Sequence, residues 1–208
     1  MSEKNQKEIS PLQFHWSFWE GLQDEKKNMH SADAWKNLLR NVATFGNVGD
    51  FWHFFRGIPK PSGVFYDSKL REKRPVGTDQ DSRVLESLSL FKAGVEPSWE
   101  DAANIRGGEW WMRKAVTPAV LDNWWTNIVL GLVGCTIENS DDICGVRVVD
   151  KSKAGDGRTF VKIELWLRTK DSATRNALLE KLCASMADGD TYKADELKRE
   201  FQWKVHGV

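Results

Sequence analysis

The nine residues "FVKIELWLR" (160–168) indicate most clearly which fold the sequence predicts. Successive side chains of a β-strand point to opposite faces of the sheet. Every second residue of this stretch is aliphatic, and the residues between them are mostly charged or aromatic. We therefore expect one face of a sheet to pack on helices and the other to face a ligand. The aliphatic residues are Val161, Ile163, Leu165 and Leu167, and the others are Phe160, Lys162, Glu164, Trp166 and Arg168.

Further strands are expected on both sides of this one. Short aromatic or β-branched runs bounded by turn residues predict strands at 14–19, 37–45, 85–92, 108–114 and 143–150. A last strand is expected within 200–208, where a helix from residue 193 is an open alternative. Because these strands follow one another or flank a single helix, without regular βαβ alternation, they predict an antiparallel sheet.

Three helices are predicted from their start signals. Asn47 is a good N-cap, with Asp50 three residues later, and this helix ends at Gly57. A second helix starts at Thr117-Pro118, and a third starts at Asp171 or Ser172. The fold class is therefore α+β, with three helices on one face of the sheet.

The segments between these elements complete the domain organisation. Residues 1–10 are expected to form a disordered tail and 11–208 a single domain. The polar stretch 21–35 is expected to be a loop. The stretch 59–83, which contains three prolines and a dense run of charges, is expected to be a long inserted loop.

The overall composition excludes several classes of protein. The 30 basic residues balance the 30 acidic ones, which excludes a strongly basic nucleic-acid coat but not a local basic patch. No stretch approaches the roughly 20 apolar residues that span a bilayer. The first ten residues are polar and lack the apolar segment of a secretory signal. We therefore expect a cytoplasmic protein, possible also in the nucleus, that does not bind membranes.

Cysteine and histidine give no sign of metal or nucleophilic chemistry. The three cysteines are far apart without a C-x-x-C pair, and the four histidines have no H-x-x-x-H spacing. We therefore expect no metal, no cofactor and no catalytic residues, and a protein that is not an enzyme. A hydrolase or methyltransferase would need an acidic metal cluster or a glycine-rich loop after a strand, and neither is found.

Tryptophan is the unusual residue, with 11 copies against two tyrosines. Most must be core residues. However, Trp99 lies in the loop "VEPSWED" (95–101) next to Glu100, Trp35 ends another predicted loop, and Trp166 lies on the polar face of its strand. Indoles stack on nucleobases, and a carboxylate accepts two parallel N–H bonds from a guanine edge. Phosphates could be neutralised by Lys151, Lys153, Arg158 and Lys162.

The order "FHWSFW … AW … FGNVGDFW … VEPSWED … RGGEWW … LDNWW … DDICGVRV … KIELW" resembles the eukaryotic translation initiation factor 4E family, which binds the 5′ cap of messenger RNA. The resemblance runs from Pro11 to Arg168. It implies a curved antiparallel sheet with three helices on its convex face and the cap in a slot on the concave face. It also suggests a divergent paralogue with insertions, acting as a monomer.

The resemblance also assigns roles to residues of the cap site. Trp35 and Trp99 would sandwich the 7-methylguanine base, Glu100 would read its N1 and N2 edge, and Trp166 would contact the N7-methyl group. The family's triphosphate positions fall on Lys151, Lys153 and Lys162. Arg158 is a candidate replacement for one of these lysines, because the hairpin is longer than usual. Glu109 stands where many members carry a basic residue.

On the helical face, the family binds a scaffold factor of the 4G type, or repressors, through a Tyr-x-x-x-x-Leu-apolar helix. Pro11, Val48, Trp52 and Leu130 match that surface. The resemblance therefore implies cap binding in translation initiation with scaffold recruitment. Two alternatives remain open: a cap-binding repressor that does not recruit the scaffold, and a carbohydrate-binding module with a tryptophan platform. The latter would not need the basic turn.

Overall fold

A computed structural model describes residues 10–23, 37–78, 82–137 and 141–207. The predicted tail 1–10 and the predicted loop 21–35 therefore lie largely outside the described residues. The strands are β1 Pro11–Leu22, β2 Leu39–Asn47, β3 Tyr66–Asp67, β4 Glu72–Lys73, β5 Pro75–Val76, β6 Arg83–Lys92, β7 Gly108–Val116, β8 Ile143–Asp150, β9 Thr159–Leu167 and β10 Gln202–Val205. The helices are α1 Val48–Gly57, α2 Pro61–Val64, α3 Pro118–Val133, α4 Ser172–Ala187 and α5 Ala194–Glu200.

The architecture is a curved antiparallel sheet in the order β10-β7-β9-β8-β6-β1-β2, with β5 added to β6 and a separate β3–β4 pair. This confirms the predicted α+β class. Both alternatives for the last segment are present, because α5 precedes the short strand β10. The three predicted helices are α1, α3 and α4, the seven-residue α5 is the alternative helix from residue 193, and the four-residue α2 was not predicted.

The two faces of β9 are as different as their sequence predicts. Val161, Ile163 and Leu165 are each at most 1% exposed and belong to the main core, together with residues of α1, α3 and α4. On the other face, Trp166 belongs to a smaller cluster with Phe91, Val95 and Cys144. The sheet thus has a helical core on its convex side and a smaller aromatic cluster on its concave side.

The helix starts follow the local chemistry that the sequence indicates. The Asn47 side chain accepts a hydrogen bond from the Asp50 N–H at 2.8 Å. Asp171, rather than Ser172, caps α4, since its carboxylate accepts from the Thr174 N–H at 2.8 Å. Thr117 accepts from the backbone of α3, which has proline in its first turn.

The stretch 59–83 differs from the predicted loop, because it contains α2, β3, β4 and β5. Phe65 and Tyr66 are buried there, at 0% and 2% exposure. Short strands of two residues have no hydrophobic period long enough to read from sequence. The charged residues of this stretch therefore did not indicate that the segment folds onto the domain.

None of the helices in the described ranges is long and apolar enough to cross a bilayer.

Candidate functional site

The loop that carries Trp99 is pinned by one buried asparagine. The Asn104 side-chain amide donates to the carbonyls of Glu96 and Ser98, both at 2.8 Å. The Asp101 carboxylate accepts from the Glu96 N–H at 2.9 Å. Asn104 and Asp101 thus satisfy polar groups of the loop backbone. The Trp99 side chain points outward and is 48% exposed. An indole exposed on a rigid loop is available for stacking.

A cavity of about 230 Å³ opens beside this indole. It lies on the concave side, between the 95–101 loop and strands β8 and β9. Its walls are two indoles, one carboxylate and one guanidinium, with the loop backbone closing one side. The lining residues are Pro97, Ser98, Trp99, Glu100, Arg147 and Trp166.

The carboxylate of this cavity is oriented by its own loop. The buried Ser98 hydroxyl donates a hydrogen bond to Glu100 Oε2, while the Glu100 side chain stays exposed. Arg147 of β8 also lines the cavity and lies 4.0 Å from Glu164. The cavity therefore offers both an acceptor for N–H groups and a cation.

The second indole, Trp166, forms the buried floor and is 1% exposed. Phe91 packs edge-on against it at 5.5 Å between ring centroids, and the Trp166 Nε1–H donates to Glu164 Oε2 at 3.0 Å. Trp166 is covered by Phe91 and by a residue of the C-terminal segment, His206.

His206 links the two indoles. Its ring lies 4.6 Å from the Trp166 ring and stacks at 6.2 Å and 30° on Trp99. Its Nδ1 is 3.0 Å from the Asn104 carbonyl, and its Nε2 is 3.3 Å from Glu109 Oε2. Lys204, two residues earlier, has its ammonium 4.0 Å from the Trp99 ring centroid. The C-terminal segment therefore supports both aromatic walls.

Lys162 is held by two carboxylates on this face. Its ammonium is 3.0 Å from Glu109 and 2.6 Å from Glu164. Burial alone would lower the pKa of Lys162, but the two carboxylates outweigh it and raise the pKa. Burial likewise pushes the pKa of Glu109 upward, yet His206 and Lys162 hold it below its ordinary value. Both groups are therefore charged at neutral pH and largely neutralise each other.

The other predicted phosphate-binding residues are divided between two places. Lys151, which is paired with Glu86 at 3.0 Å, and Lys153 line a second cavity at the β8–β9 turn. Arg158 lines a neighbouring depression near Thr117, where it is 3.9 Å from Asp156 and its guanidinium lies 5.1 Å from the Phe160 ring centroid. Trp35 lies outside the described residues, so its predicted place opposite Trp99 stays a prediction.

The comparison with known proteins identifies the family. The sequence profile described as eukaryotic initiation factor 4E matches residues 11–206 of this chain. The chain belongs to this family. It is 34% identical over 168 residues to eukaryotic translation initiation factor 4E of Dictyostelium discoideum, an alignment that covers 80% of this chain and 56% of that protein. The chain therefore spans about half the length of this relative.

Solved structures of initiation factor 4E proteins share the fold. Ascaris suum eIF4E-3 in complex with an m7G cap matches with a TM-score of 0.67 and 27% identity, over 95% of this chain and 92% of that chain. C. elegans eIF4E-3 in complex with the 4E-binding protein Mextli and a cap analogue matches with a TM-score of 0.66 and 25% identity, over 95% and 92% of the two chains.

The helical face of this initiation factor 4E chain exposes three of the four residues expected to contact a partner. Val48 and Trp52, one turn apart on α1, are each 38% exposed, while Phe51 packs inward at 3%. Pro11 is exposed and pairs with Asn47 at the start of the same helix. Leu130 of α3 is half-buried against the core.

Sequence reasoning missed two residues of the concave site. Arg147 is the single basic residue of the strand "ICGVRVVD" (143–150) and has apolar residues on both sides, and that isolation is the signal that could have found it. His206 gave no signal, because only the pairing of β10 with β7 brings residue 206 back to the 95–101 loop. Glu109 was recognised as a departure from the initiation factor 4E pattern, but its pairing with Lys162 was not predicted.

Proposed function

We propose that this chain binds the 7-methylguanosine 5′ cap of mRNA. The observation that carries the proposal is the cavity in which the exposed indole of Trp99, the oriented carboxylate of Glu100 and the buried indole of Trp166 meet. The described Ascaris relative, which shares 27% identity with this chain, was solved with an m7G cap. A binding module of this kind needs no catalytic residue and no cofactor.

Base recognition follows from the charge of the ligand. Methylation at N7 makes the purine cationic, so a face of Trp99 attracts it through a cation–π interaction that unmethylated guanine lacks. Trp35 is proposed as the second face. Glu100 accepts the N1 and N2 protons in a parallel pair, the Trp99 backbone N–H meets O6, and Trp166 contacts the N7-methyl group.

The triphosphate is proposed to run from this cavity along β9 toward Lys151 and Lys153. Lys162 lies between the two, but Glu109 and Glu164 offset its charge. Arg158 is the weakest of the proposed phosphate contacts, because it lines a different depression. We therefore assign the phosphates chiefly to Lys151 and Lys153.

For the role in initiation, we propose that the helical face recruits a partner helix. Val48 and Trp52 expose apolar surface on α1, and such surface is typical of a docking site. The described C. elegans relative was solved with a 4E-binding protein. Scaffold recruitment in the cytoplasm is the role that we favour. A repressor that lacks scaffold binding is the alternative, and a scaffold peptide with the Tyr-x-x-x-x-Leu-apolar motif separates the two.

The test is a titration of tryptophan fluorescence with 7-methyl-GTP and with GTP. Because the ligand stacks on an indole, 7-methyl-GTP should quench the emission and bind more tightly than GTP. Trp99→Leu should weaken 7-methyl-GTP binding roughly 10- to 100-fold. Trp52→Leu is the matched control, since it removes an indole of similar exposure from the opposite side of the sheet. Equal binding of the two nucleotides would reject the proposal.

The guanine edge has its own pair of variants. Glu100→Gln keeps one acceptor oxygen but loses the charge and the parallel pair, so it should narrow the ratio between 7-methyl-GTP and GTP. Glu96→Gln removes an exposed acid from the same loop and should leave that ratio unchanged. If the two variants discriminate equally well, Glu100 does not read the base.

A further inference from the structure

A second cavity, of about 430 Å³, opens on the same side of the sheet at the β8–β9 turn. Among the described residues, it shares no lining residue with the first cavity. Four cationic side chains and one carboxylate line it, together with an aromatic ring. The lining residues are Arg113, Lys114, Ala115, Lys151, Lys153, Asp156 and Phe160.

This cavity lies on the continuation of the first one. Phe160 and Trp166 are both on β9 and six residues apart, an even spacing that puts them on the same face. At roughly 3.3 Å per residue, about 20 Å of strand separates them. Lys162 lies between them, directly opposite Arg113 on β7. A ligand that leaves the first cavity along β9 therefore reaches the second.

The chemistry of the cavity suits a single-stranded nucleic acid. Such sites combine a basic groove that follows the phosphates with aromatic rings on which bases stack. Phe160 supplies a half-buried ring, and Arg113 is exposed with its guanidinium donating to the Lys151 carbonyl at 3.3 Å. Lys114 is paired with Glu200 at 2.7 Å and Lys151 with Glu86 at 3.0 Å, so the accessible charge is concentrated on Arg113 and Lys153.

The wall of the cavity is held in place before any ligand arrives. The 66–73 segment braces the β8–β9 turn through three contacts: the Tyr66 hydroxyl donates to the Asp156 carbonyl, Lys73 pairs with Asp150, and the Gly155 N–H donates to the Arg71 carbonyl at 2.9 Å. A preorganised wall lowers the ordering cost of binding.

We propose that this cavity binds the first nucleotides that follow the cap in a capped RNA. Phe160 stacks on a base and Arg113 contacts the phosphate that follows the cap triphosphate, while Lys151 and Lys153 hold the triphosphate itself. The assignment rests on the proposed cap function, since the cap fixes the RNA end in the first cavity. An acidic peptide would also satisfy the cations, but it would not explain why the groove continues from a base-binding cavity.

The test compares 7-methyl-GTP with a capped five-nucleotide RNA on the full chain, by calorimetry or fluorescence. One additional stacked base should tighten binding of the capped RNA roughly 5- to 150-fold over 7-methyl-GTP. Phe160→Leu and Arg113→Ala should each remove at least fivefold of that gain and leave 7-methyl-GTP affinity unchanged. Arg199→Ala, at an exposed position on α5, is the matched control.

The outcomes separate this inference from the cap proposal. The RNA site is overturned if the capped RNA binds no better than 7-methyl-GTP, or if its gain in affinity persists in both variants. The ratio of the affinities for 7-methyl-GTP and GTP still tests the cap site on its own. Because Arg113 is exposed, its variant keeps the test valid if Phe160→Leu fails to fold. A poly-glutamate peptide is the last arm of the test. If the peptide displaces the RNA, and if both variants weaken peptide binding more than RNA binding, the cavity belongs to an acidic peptide.

Discussion

Glu109→Gln should weaken the fold and strengthen cap binding in the same protein. Glu109 is fully buried and lies 3.0 Å from the Lys162 ammonium. Breaking a buried ion pair costs about 3 kcal/mol or more. For Glu109→Gln we expect the lower end of this loss in stability, because the Lys162 ammonium still lies 2.6 Å from Glu164. The glutamine amide also keeps an acceptor oxygen for His206.

The gain in affinity follows from the geometry of the same pair. A phosphate that contacts Lys162 would lie roughly 6 Å from the Glu109 carboxylate, the sum of two short charge-assisted contacts. Repulsion between unit charges at that distance is about 0.7 kcal/mol in water and about 2.8 kcal/mol at an effective dielectric constant of 20. Removing the carboxylate should therefore tighten 7-methyl-GTP binding roughly 3- to 100-fold.

The assay pairs urea unfolding with a 7-methyl-GTP titration at two salt concentrations. The gain in 7-methyl-GTP affinity should be smaller at high salt, because salt screens the attraction between the Lys162 ammonium and the phosphates. Glu180→Gln, which removes an exposed carboxylate paired with Lys198, is the control and should change neither quantity by much. If Glu109→Gln is folded and binds 7-methyl-GTP no more tightly than wild type, Lys162 does not meet the phosphates.

Three further predictions follow from other parts of the molecule. Trp52→Ala should weaken binding of a Tyr-x-x-x-x-Leu-apolar peptide by about 2 kcal/mol, as for a hot-spot residue, and should change 7-methyl-GTP affinity less than twofold. A sharp drop in both affinities, together with a lower melting temperature, would instead make Trp52 part of the core. The pKa of Glu109 is lowered, so its contribution to stability is complete above its ordinary value near 4.3 and is lost as the pH falls through the lower folded value. The urea midpoint of wild type should consequently fall faster between about pH 5 and pH 3 than that of Glu109→Gln, and parallel curves would contradict this. Burial raises the pKa of Cys144 to about 11 and that of Cys183 to about 12, so iodoacetamide at pH 8 should modify only the half-buried Cys135 in the folded protein, as peptide mass spectrometry would reveal.

Local sequence patterns predicted most of the strands and helices of the fold. The alternation in "FVKIELWLR" predicted both faces of β9, and Asn47 and Asp171 marked helix starts because a cap depends on residues only a few positions apart. The segment 59–83 was misread, because Phe65 and Tyr66 are buried by contacts with distant parts of the chain rather than by a periodic pattern.

The candidate site was predictable only where its residues are neighbours in sequence. Trp99 and Glu100 form one motif, and the structure brings both to the same cavity. The neutralisation of Lys162 by Glu109 depends instead on the register of β7 against β9, which places Glu109 opposite Trp166. The contribution of His206 depends on a strand pairing across almost a hundred residues, and no local rule specifies it.

The place of His206 has a consequence for the protein during its own synthesis. Strands β1, β6, β8 and β9 can pair while the ribosome is still adding residues, at about 5–20 per second. Both aromatic walls nevertheless lack their shared support until residue 206 has emerged, because His206 is the ring that touches Trp99 and Trp166 together. While residue 206 is still inside the ribosome, the nascent chain therefore lacks the ring that supports both indoles of the candidate cap site.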